Sequence, residues 1–243
     1  MLSSQALCLA QLGRLDEAER GYLKALAFFI PADARSDNVA AHTSASLNVL
    51  NNLGLLYTQQ KRLDKAHETL DELVRGRAAV SGPNHPHTLS AMQNMGTLLI
   101  EEREYEQAIE LLSDISRRRA ELQGDVHSDT IVARCALADA LREGDRAAEA
   151  ADVARRALDA VRSSPEQRPE HAAAARLAMR ALARALRVVG TPEEAEPLHQ
   201  EVLRQRVELF GAAFPSAVEA RADLAACLRE MGREEDAAKL EAA

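Results

Sequence analysis

The chain is poor in aromatic, glycine and proline residues. Of its 243 residues, 3% are aromatic, none is tryptophan, 11 are glycine and 8 are proline. An all-β protein needs turn residues roughly every 8–12 positions, with β-branched or aromatic residues between them. Long stretches of this chain instead use Ala, Leu, Arg and Glu, which are strong helix formers. These shortages exclude an all-β protein and predict an all-α fold.

A surplus of positive charge is also missing. The sequence contains 30 Lys and Arg against 38 Asp and Glu, which gives a formal net charge of −8 at pH 7. Proteins that bind duplex nucleic acid or an anionic membrane surface carry a basic surplus that neutralises phosphate charge. The charge balance therefore argues against nucleic acid and against a membrane as the partner.

Cysteines are few and lie far apart. Cys8, Cys135 and Cys227 show no CxxC spacing, which excludes a disulfide framework and a zinc motif. The chain starts without the basic residues of a signal peptide, and no segment approaches the ~18 apolar residues of a membrane span. We expect a cytoplasmic protein with no cofactor.

A repeat of 42 residues is the strongest feature that the sequence does contain. The segment Asn52–Tyr57 reads NLGLLY and Asn94–Leu99 reads NMGTLL, so Gly54 and Gly96 are 42 positions apart. The same offset relates three further pairs, Gly82 to Gly124, His85 to His127 and Thr88 to Thr130.

Three positions recur in register along the whole chain. An alanine returns every 42–48 residues, at Ala18, Ala66, Ala108, Ala150, Ala195 and Ala237. A small residue stands twelve positions earlier, at Ala6, Gly54, Gly96, Ala138, Ala183 and Ala225. A large residue follows that small one three positions later, at Leu9, Tyr57, Leu99, Leu141, Leu186 and Leu228. Because antiparallel helices approach closely only where small side chains meet, each triplet predicts one helix pair.

A short polar turn separates the two helices of each predicted pair. The turns read Gly13-Arg14, Lys61-Arg62, Arg103-Glu104, Asp145-Arg146, Gly190-Thr191 and Gly232-Arg233. Glycine at this point can end a helix with a positive φ because it has no Cβ.

These features resemble the tetratricopeptide repeat (TPR): the small–x–x–large triplet, and the later alanine preceded by Gly-Arg-Leu-Asp-Glu at 13–17. The usual TPR has about 34 residues. The longer spacing and the linker Gly-Pro-Asn-His-Pro-His-Thr at 82–88 are similar to the kinesin light chain type. The resemblance implies a right-handed superhelical solenoid of six antiparallel helix pairs. We expect a single array over residues 1-243, with repeat units at approximately 1-39, 40-85, 86-127, 128-167, 168-214 and 215-243.

The linkers and the ends of this array carry two further predictions. The linkers Pro31–His42 and Ser163–Glu170 are longer than the others and are predicted to be mobile loops. Arrays of this kind usually close with a polar capping helix, which this sequence does not supply. We therefore expect incompletely covered end helices, at Leu2, Leu9, Leu224, Leu228 and Leu240.

The resemblance implies that peptide ligands lie along a concave groove lined by the first helix of each pair. Helical geometry places four asparagines on that face, Asn48, Asn51, Asn52 and Asn94. Side-chain amides can hydrogen-bond to a peptide backbone whatever the peptide's side chains are. These residues are therefore candidate peptide contacts.

The first helix of repeat unit five carries a row of arginines. Its members are Arg176, Arg180, Arg184 and Arg187. They fall within an arc of about 80° on one helix face, and Arg142 and Arg229 flank them in the neighbouring units. Guanidinium groups suit carboxylates and phosphates, so one hypothesis is an acidic or phosphorylated peptide ligand. The alternative is a solvated arginine face paired with acids such as Asp139.

Other candidate sites are weaker. His85, His87 and His127 could suggest a metal, but His-Pro-x-Thr is typical of this linker and no four-ligand pattern is present. Cys135 is predicted either to face the groove or to be buried and inert. The sequence contains neither Gly-x-Ser-x-Gly nor a Walker loop. We expect no metal site and no enzyme.

The leading functional hypothesis is a scaffold or adaptor that binds a protein or peptide segment, acidic in character, in the concave groove. One alternative is a structural assembly or oligomerisation unit that associates with itself through its uncovered end helices. Another is the TPR part of a larger signalling or sensor protein.

Overall fold

The computed structural model describes residues 2–29, 42–164 and 169–242, and within these ranges the chain forms helices and no strand. In chain order the helices are α1 (Leu2–Gln11), α2 (Leu15–Phe29), α3 (Ser44–Gln59), α4 (Leu63–Ser81), α5 (Pro86–Glu101), α6 (Tyr105–Gln123), α7 (Ser128–Glu143), α8 (Ala147–Arg162), α9 (Pro169–Val189), α10 (Pro192–Phe210), α11 (Pro215–Glu230) and α12 (Glu234–Ala242). The predicted all-α helical-repeat fold is confirmed.

The chain divides into two compact bodies. The N-terminal body is Met1–Leu111 and the C-terminal body is Leu112–Ala243. In the first, α1 packs on α2 and α3 on α4; in the second, α7 packs on α8 and α10 on α11. The single array and its unit boundaries stay predictions, and the boundaries at 39/40 and 167/168 lie outside the described residues. Most of the two predicted mobile linkers lies outside them as well.

The small residues of the triplets lie where paired helices meet. All six recurring alanines are 0% exposed: Ala18, Ala66, Ala108, Ala150, Ala195 and Ala237. At Gly54, an added Cβ would lie 2.6 Å from Leu70 Cδ2, closer than real Cβ contacts. The sequence register therefore identified the helix–helix contacts correctly, and α3 can approach α4 this closely because position 54 is glycine.

The turns within the pairs share one backbone conformation. The residue with positive φ is Gly13 (76°), Lys61 (57°), Arg103 (65°), Asp145 (60°), Gly190 (91°) or Gly232 (75°). In every pair, the N–H of the next residue donates to the carbonyl five positions back, as in Arg62 to Tyr57 at 3.0 Å. This Schellman-type bond requires the left-handed conformation, which costs a residue with a Cβ roughly 1–2 kcal/mol.

The linker histidines act as helix caps. His85 Nδ1 accepts a hydrogen bond from the backbone N–H of His87 at 3.2 Å, and His127 Nδ1 accepts one from that of Asp129 at 3.1 Å. Thr88 Oγ1 donates to the carbonyl of Gly82 at 2.7 Å. The repeated His and Thr thus join one helix pair to the next, which is the linker role that the sequence pattern favoured.

The prediction of incompletely covered ends is wrong for Leu224 and Leu228 and holds for Leu9 and Leu240, which are partly exposed. Leu224 and Leu228 are each 5% exposed, because α12 packs over them with Ala237 and Leu240. Leu9 is partly buried against the N-terminal core, and the side chain of Leu2 lies outside the described residues. Exposed apolar surface at this end comes from Leu7 of α1 and from Leu12 in the turn that follows α1.

Candidate functional site

Two surfaces carry the residues singled out in the sequence. We call Asn48, Asn51, Asn52 and Asn94 the asparagine surface; it belongs to α3 and α5 of the N-terminal body. We call Arg142, Arg180, Arg184 and Arg187 the arginine surface; it belongs to α7 and α9 of the C-terminal body. Each is described within its own body.

Amide-to-amide hydrogen bonds connect most of the asparagine surface. Asn94 Nδ2 donates to Asn51 Oδ1 at 2.8 Å, and Asn51 Nδ2 donates to Asn52 Oδ1 at 3.4 Å. All three residues are half-buried, and Asn48 is exposed. The bond between Asn94 and Asn51 joins α5 to α3, which are the first helices of neighbouring repeat units. The amides therefore hold these two helices together and are also partly exposed to solvent.

A buried arginine lies behind the asparagine surface. Arg77 of α4 is 6% exposed, and its Nη2 donates to Asn48 Oδ1 at 2.5 Å. Burial lowers the pKa of Arg77 from its ordinary value. Because this residue belongs to a second helix, the helical-face reasoning missed it. Its contact orients the Asn48 amide, with the oxygen turned inward.

Carboxylates of α11 pair with the arginines of α9. Arg180 Nη1 donates to Glu219 Oε1 at 3.1 Å, and Arg187 Nε donates to Glu230 Oε2 at 2.8 Å. Between them, Arg184 Nη2 donates to Asp223 Oδ2 at 2.9 Å and to Glu219 Oε1 at 3.1 Å. The arginine surface is therefore a ladder of ion pairs between two first helices.

The pairs shift the pKa values of their members. Hydrogen bonding to Glu230 raises the pKa of Arg187, and the same bond lowers the pKa of the Glu230 carboxyl. Burial opposes ionisation of Arg184, but Asp223 and Glu219 outweigh it and raise its pKa. The ladder therefore favours the charged forms of Arg184, Arg187 and Glu230 at neutral pH.

Arg142 completes the arginine surface from α7. Its Nη2 lies 2.8 Å from Glu143 Oε1 and 3.7 Å from Asp139 Oδ1. Its Nε is buried and has no hydrogen-bond partner among the described residues. With Arg184, Arg187, Val188 and Glu230 it lines an open cavity of about 260 Å³. Three guanidinium groups thus share this cavity with one carboxylate.

Three titratable groups with shifted pKa values lie close to the ladder; Cys135 and His199 are buried, and Asp139 is partly exposed. Cys135 is 8% exposed, and burial raises the pKa of its thiol to about 12, so it is a buried cysteine and not a groove thiol. Burial also raises the pKa of Asp139. His199 is 1% exposed, and burial lowers its pKa to about 4. A neutral imidazole therefore lies near the charged ladder at pH 7.

The remaining predicted arginines contact other groups. Arg176 Nη1 donates to Gln205 Oε1 at 3.3 Å, and Arg229 Nη2 donates to Glu241 Oε2 at 2.5 Å. Sequence reasoning missed the carboxylates of the ladder, although a signal exists. Glu219 and Asp223 follow Arg180 and Arg184 by 39 positions, which is about one repeat.

Two features are absent from the described part of the chain, a metal-binding cluster and a membrane-spanning helix. No group of three or more His, Cys, Asp or Glu side chains there could hold a metal ion. No described helix combines the length and the apolar character needed to cross a membrane.

Sequence profiles of the tetratricopeptide repeat match most of the chain, at residues 45–121, 91–163 and 175–216. The chain belongs to the tetratricopeptide repeat family. Among curated proteins, none matches its sequence significantly.

Solved TPR structures share the fold at low sequence identity. A variant of a predicted kinesin light chain from Podosopora anserina, with nearly identical TPR-like repeats, gives a TM-score of 0.64 at 20% identity and covers 82% of this chain and 93% of that one. BtubC (BKLC) from P. vanneervenii gives 0.67 at 14% identity and covers 93% and 87%. The Rap protein complexed with Competence and Sporulation Factor gives 0.67 at 13% identity and covers 98% and 73%.

Family and fold together support a protein-interaction scaffold, with a protein or a peptide as its partner. TPR arrays stack helix pairs into extended surfaces that serve binding. The family is typically non-enzymatic.

Proposed function

We propose that this TPR protein is a scaffold that binds an acidic peptide segment on the arginine surface. The observation that carries the proposal is the cavity at Arg142, Arg184 and Arg187, where one carboxylate, Glu230, faces three guanidinium groups. Guanidinium forks bind carboxylates bidentately and more strongly than neutral partners do. These guanidinium groups pair with Glu143, with Asp223 and Glu219, and with Glu230. A peptide carboxylate would therefore bind here by replacing one of these partners.

Two carboxylates of the ladder, those of Glu219 and Glu230, are suited to be replaced by the carboxylates of a ligand. The side chains of Glu219 and Glu230 are 50% and 41% exposed. Exposed ion pairs contribute only about 0–1 kcal/mol, so replacing such a partner with a ligand carboxylate costs little. The side chain of Asp223 is only 16% exposed, and we assign its pair with Arg184 to holding α9 against α11.

The asparagine surface offers a second, neutral kind of contact within the N-terminal body. Asn48 is exposed at its outer edge, and its oxygen accepts from Arg77. Its amide nitrogen is then available to donate to a peptide carbonyl. We propose that this surface contacts peptide backbone, without preference for the charge of the peptide.

Binding of acidic peptides to variants tests the proposal. Fluorescence polarisation would compare a set of Glu-rich peptides with the same peptides carrying Gln at every Glu. We expect the acidic members to bind more tightly, and the double variant Arg180→Gln/Arg187→Gln to weaken them about tenfold or more. Arg204→Gln is the matched control, because Arg204 is an exposed arginine paired with Glu201 and Glu208 on α10. Equal affinity of wild type and double variant, with unchanged helicity, would overturn the proposal.

The alternative function, self-assembly, is favoured by one observation. An open and mainly apolar cavity of about 490 Å³ lies at α1 and the turn that follows it, lined by Ser4, Gln5, Cys8, Leu9 and Leu12. Leu12 is 73% exposed. A concentration series by light scattering distinguishes the two functions. Self-association that disappears in Leu12→Lys would favour assembly, whereas a monomer at all concentrations would leave scaffold binding as the function.

We propose a reducing compartment, the cytoplasm, for this protein. All three cysteines are free thiols, and Cys8 is exposed. An exposed thiol is stable where glutathione and thioredoxin keep cysteines reduced.

A further inference from the structure

A second cavity lies in the C-terminal body and shares no lining residue with the arginine surface. It has a volume of about 510 Å³ and lies among α6, α7 and α8. Leu137, Val153 and Ala160 supply apolar lining, and Arg156 and Asp159 of α8 supply charge. The volume is in the range of small-molecule sites, roughly 300–1,000 Å³.

Short side chains on α8 create this cavity. Ten positions after the recurring alanine, α8 has Ala160 where α6 has Arg118 and α10 has Gln205. Thirteen positions after it, Ser163 directly follows α8, whereas α6 and α10 have a glutamate at that position, Glu121 and Glu208. The space arises where this repeat unit departs from its neighbours.

A fourth helix shows that a small residue alone does not leave a cavity. In α4 the position that corresponds to Ala160 is Gly76, and a Cβ added there would lie 2.5 Å from Leu47 Cδ2. Leucine therefore fills the space at Gly76, whereas the space beside Ala160 is open to solvent.

The cavity contains one cation and one anion without an ion pair. Arg156 Nε donates to the backbone carbonyl of Asp152 at 3.3 Å, and within the described chain its guanidinium contacts no carboxylate. The carboxylate of Asp159 has no ion pair there either. By contrast, Arg134 and Asp125, which also line the cavity, pair with each other. An adjacent arginine, Arg155, pairs with Asp152 at 3.4 Å.

Opposite charges three residues apart on one helix select the chemistry of the ligand. A purely anionic ligand at Arg156 would also face Asp159, and a purely cationic ligand at Asp159 would also face Arg156. A zwitterion satisfies both groups with charge-assisted hydrogen bonds. Its uncharged part would then contact Leu137, Val153 and Ala160.

We propose that this cavity binds an α-amino acid with an aliphatic side chain. Arg156 binds the α-carboxylate, Asp159 binds the α-ammonium group, and the side chain packs on the apolar lining. The proposal does not depend on peptide binding at the arginine surface, because the two sites share no residue.

Calorimetric titration of the full chain with L-leucine and two analogues tests the proposal. Isocaproate is leucine without its ammonium group, and isoamylamine is leucine without its carboxylate. We expect L-leucine to bind and each analogue to bind about tenfold more weakly or worse, since each loses a charge-assisted bond. No binding of leucine, or equal binding of leucine and either analogue, would overturn the proposal.

Variants of α8 locate the site. Arg156→Gln and Asp159→Asn should each weaken leucine about tenfold, and Ala160→Gln, which introduces the residue of α10, should block the cavity. Arg155→Gln is the control, because the neighbouring Arg155 is not part of the lining. Wild-type affinity in both Arg156→Gln and Asp159→Asn would contradict the assignment. If a variant lost helicity, the comparison of leucine with its analogues on the wild-type chain would still decide the matter.

Discussion

The asparagine surface and the arginine surface connect equivalent helices with different chemistry. In the N-terminal body, the Asn94–Asn51 amide bond of 2.8 Å joins α5 to α3. In the C-terminal body, the ion pairs of Arg184 and Arg187 join α9 to α11. Each contact joins the first helix of one repeat unit to the first helix of the next. The same junction of the repeat can thus be made by neutral amides or by a charged ladder.

The difference has consequences for ligand recognition. Amides contribute no net charge and bind backbone groups of any peptide. The ladder holds fixed charges, of which Glu219 and Glu230 are accessible to exchange, so its recognition depends on charge. The comparison therefore predicts one surface with little sequence preference and one that selects acidic segments.

The largest expected effect is the loss of unfolding free energy when His199, the neutral imidazole close to the charged ladder, becomes protonated. The pKa of His199 is lowered to about 4 from an unfolded value of 6.5. As the pH falls, the unfolded chain therefore takes up this proton before the folded chain does. The stability that neutral His199 contributes is complete above pH 6.5 and is lost as the pH falls towards 4. The loss amounts to about 3 kcal/mol.

Urea unfolding followed by circular dichroism at pH 7 and at pH 4.5 measures this effect. His199→Leu should lose clearly less stability on acidification than the wild type, since both share the remaining carboxylates. His67→Gln serves as the control, because the ring of His67 is exposed. Identical pH dependence in wild type and His199→Leu would contradict the prediction.

The second prediction removes the central ion pair of the ladder, which joins Arg184 of α9 to Asp223 of α11. Arg184→Met leaves Asp223 half-buried without its partner, and we expect a loss of about 2 kcal/mol of unfolding free energy. The urea midpoint measures it. Arg204→Met, at an exposed pair on α10, should cost less than about 0.5 kcal/mol. A similar small loss in both variants would show that the ladder does not hold α9 to α11.

The third prediction breaks the amide contact. Asn94→Ala leaves Asn51 Oδ1 without its donor in a half-buried position, which should cost about 1 kcal/mol. The same urea experiment measures the loss. Gln59→Ala at the exposed end of α3 is a control expected to change little. A cost for Asn94→Ala equal to that of Arg184→Met would remove the energetic distinction between the two surfaces.

The smallest expected effect separates the surfaces by their response to salt. At about 1 M NaCl the Debye length falls to about 3 Å, so the cost of Arg184→Met should shrink by a fraction of a kcal/mol. The cost of Asn94→Ala should not change, because no net charge is involved. Repeating both unfolding measurements in high salt provides the check, and parallel behaviour of the two variants would contradict the assignment.

The repeat register predicted much of the fold because packing requires small side chains at fixed positions. The six alanines and the glycine at position 54 were recognisable in the sequence for that reason. Positive φ at Gly13 could be foreseen from its lack of a Cβ. The same conformation at Lys61 could not, because it is imposed by the Schellman-type bond between Arg62 and Tyr57.

The candidate site was less predictable than the fold. Helical angles placed the four arginines on related faces, but they did not show which acids each arginine meets. The cover that α12 provides for Leu228 was missed for the same reason. Both depend on contacts between residues in different helices, which the period of a single helix does not encode.

The sequence by itself determined the family, the helix pairs and the residues at their close contacts, because a repeating pattern of small and large side chains has few ways to pack. The tertiary structure decided which charges are neutralised and which are available. Glu219, Asp223 and Glu230 reach the arginines of α9 only because α11 packs beside it. Arg156 and Asp159 line their cavity without an ion pair among the described residues. Packing sets the distances between residues far apart in the chain, and those distances decide where a ligand can bind.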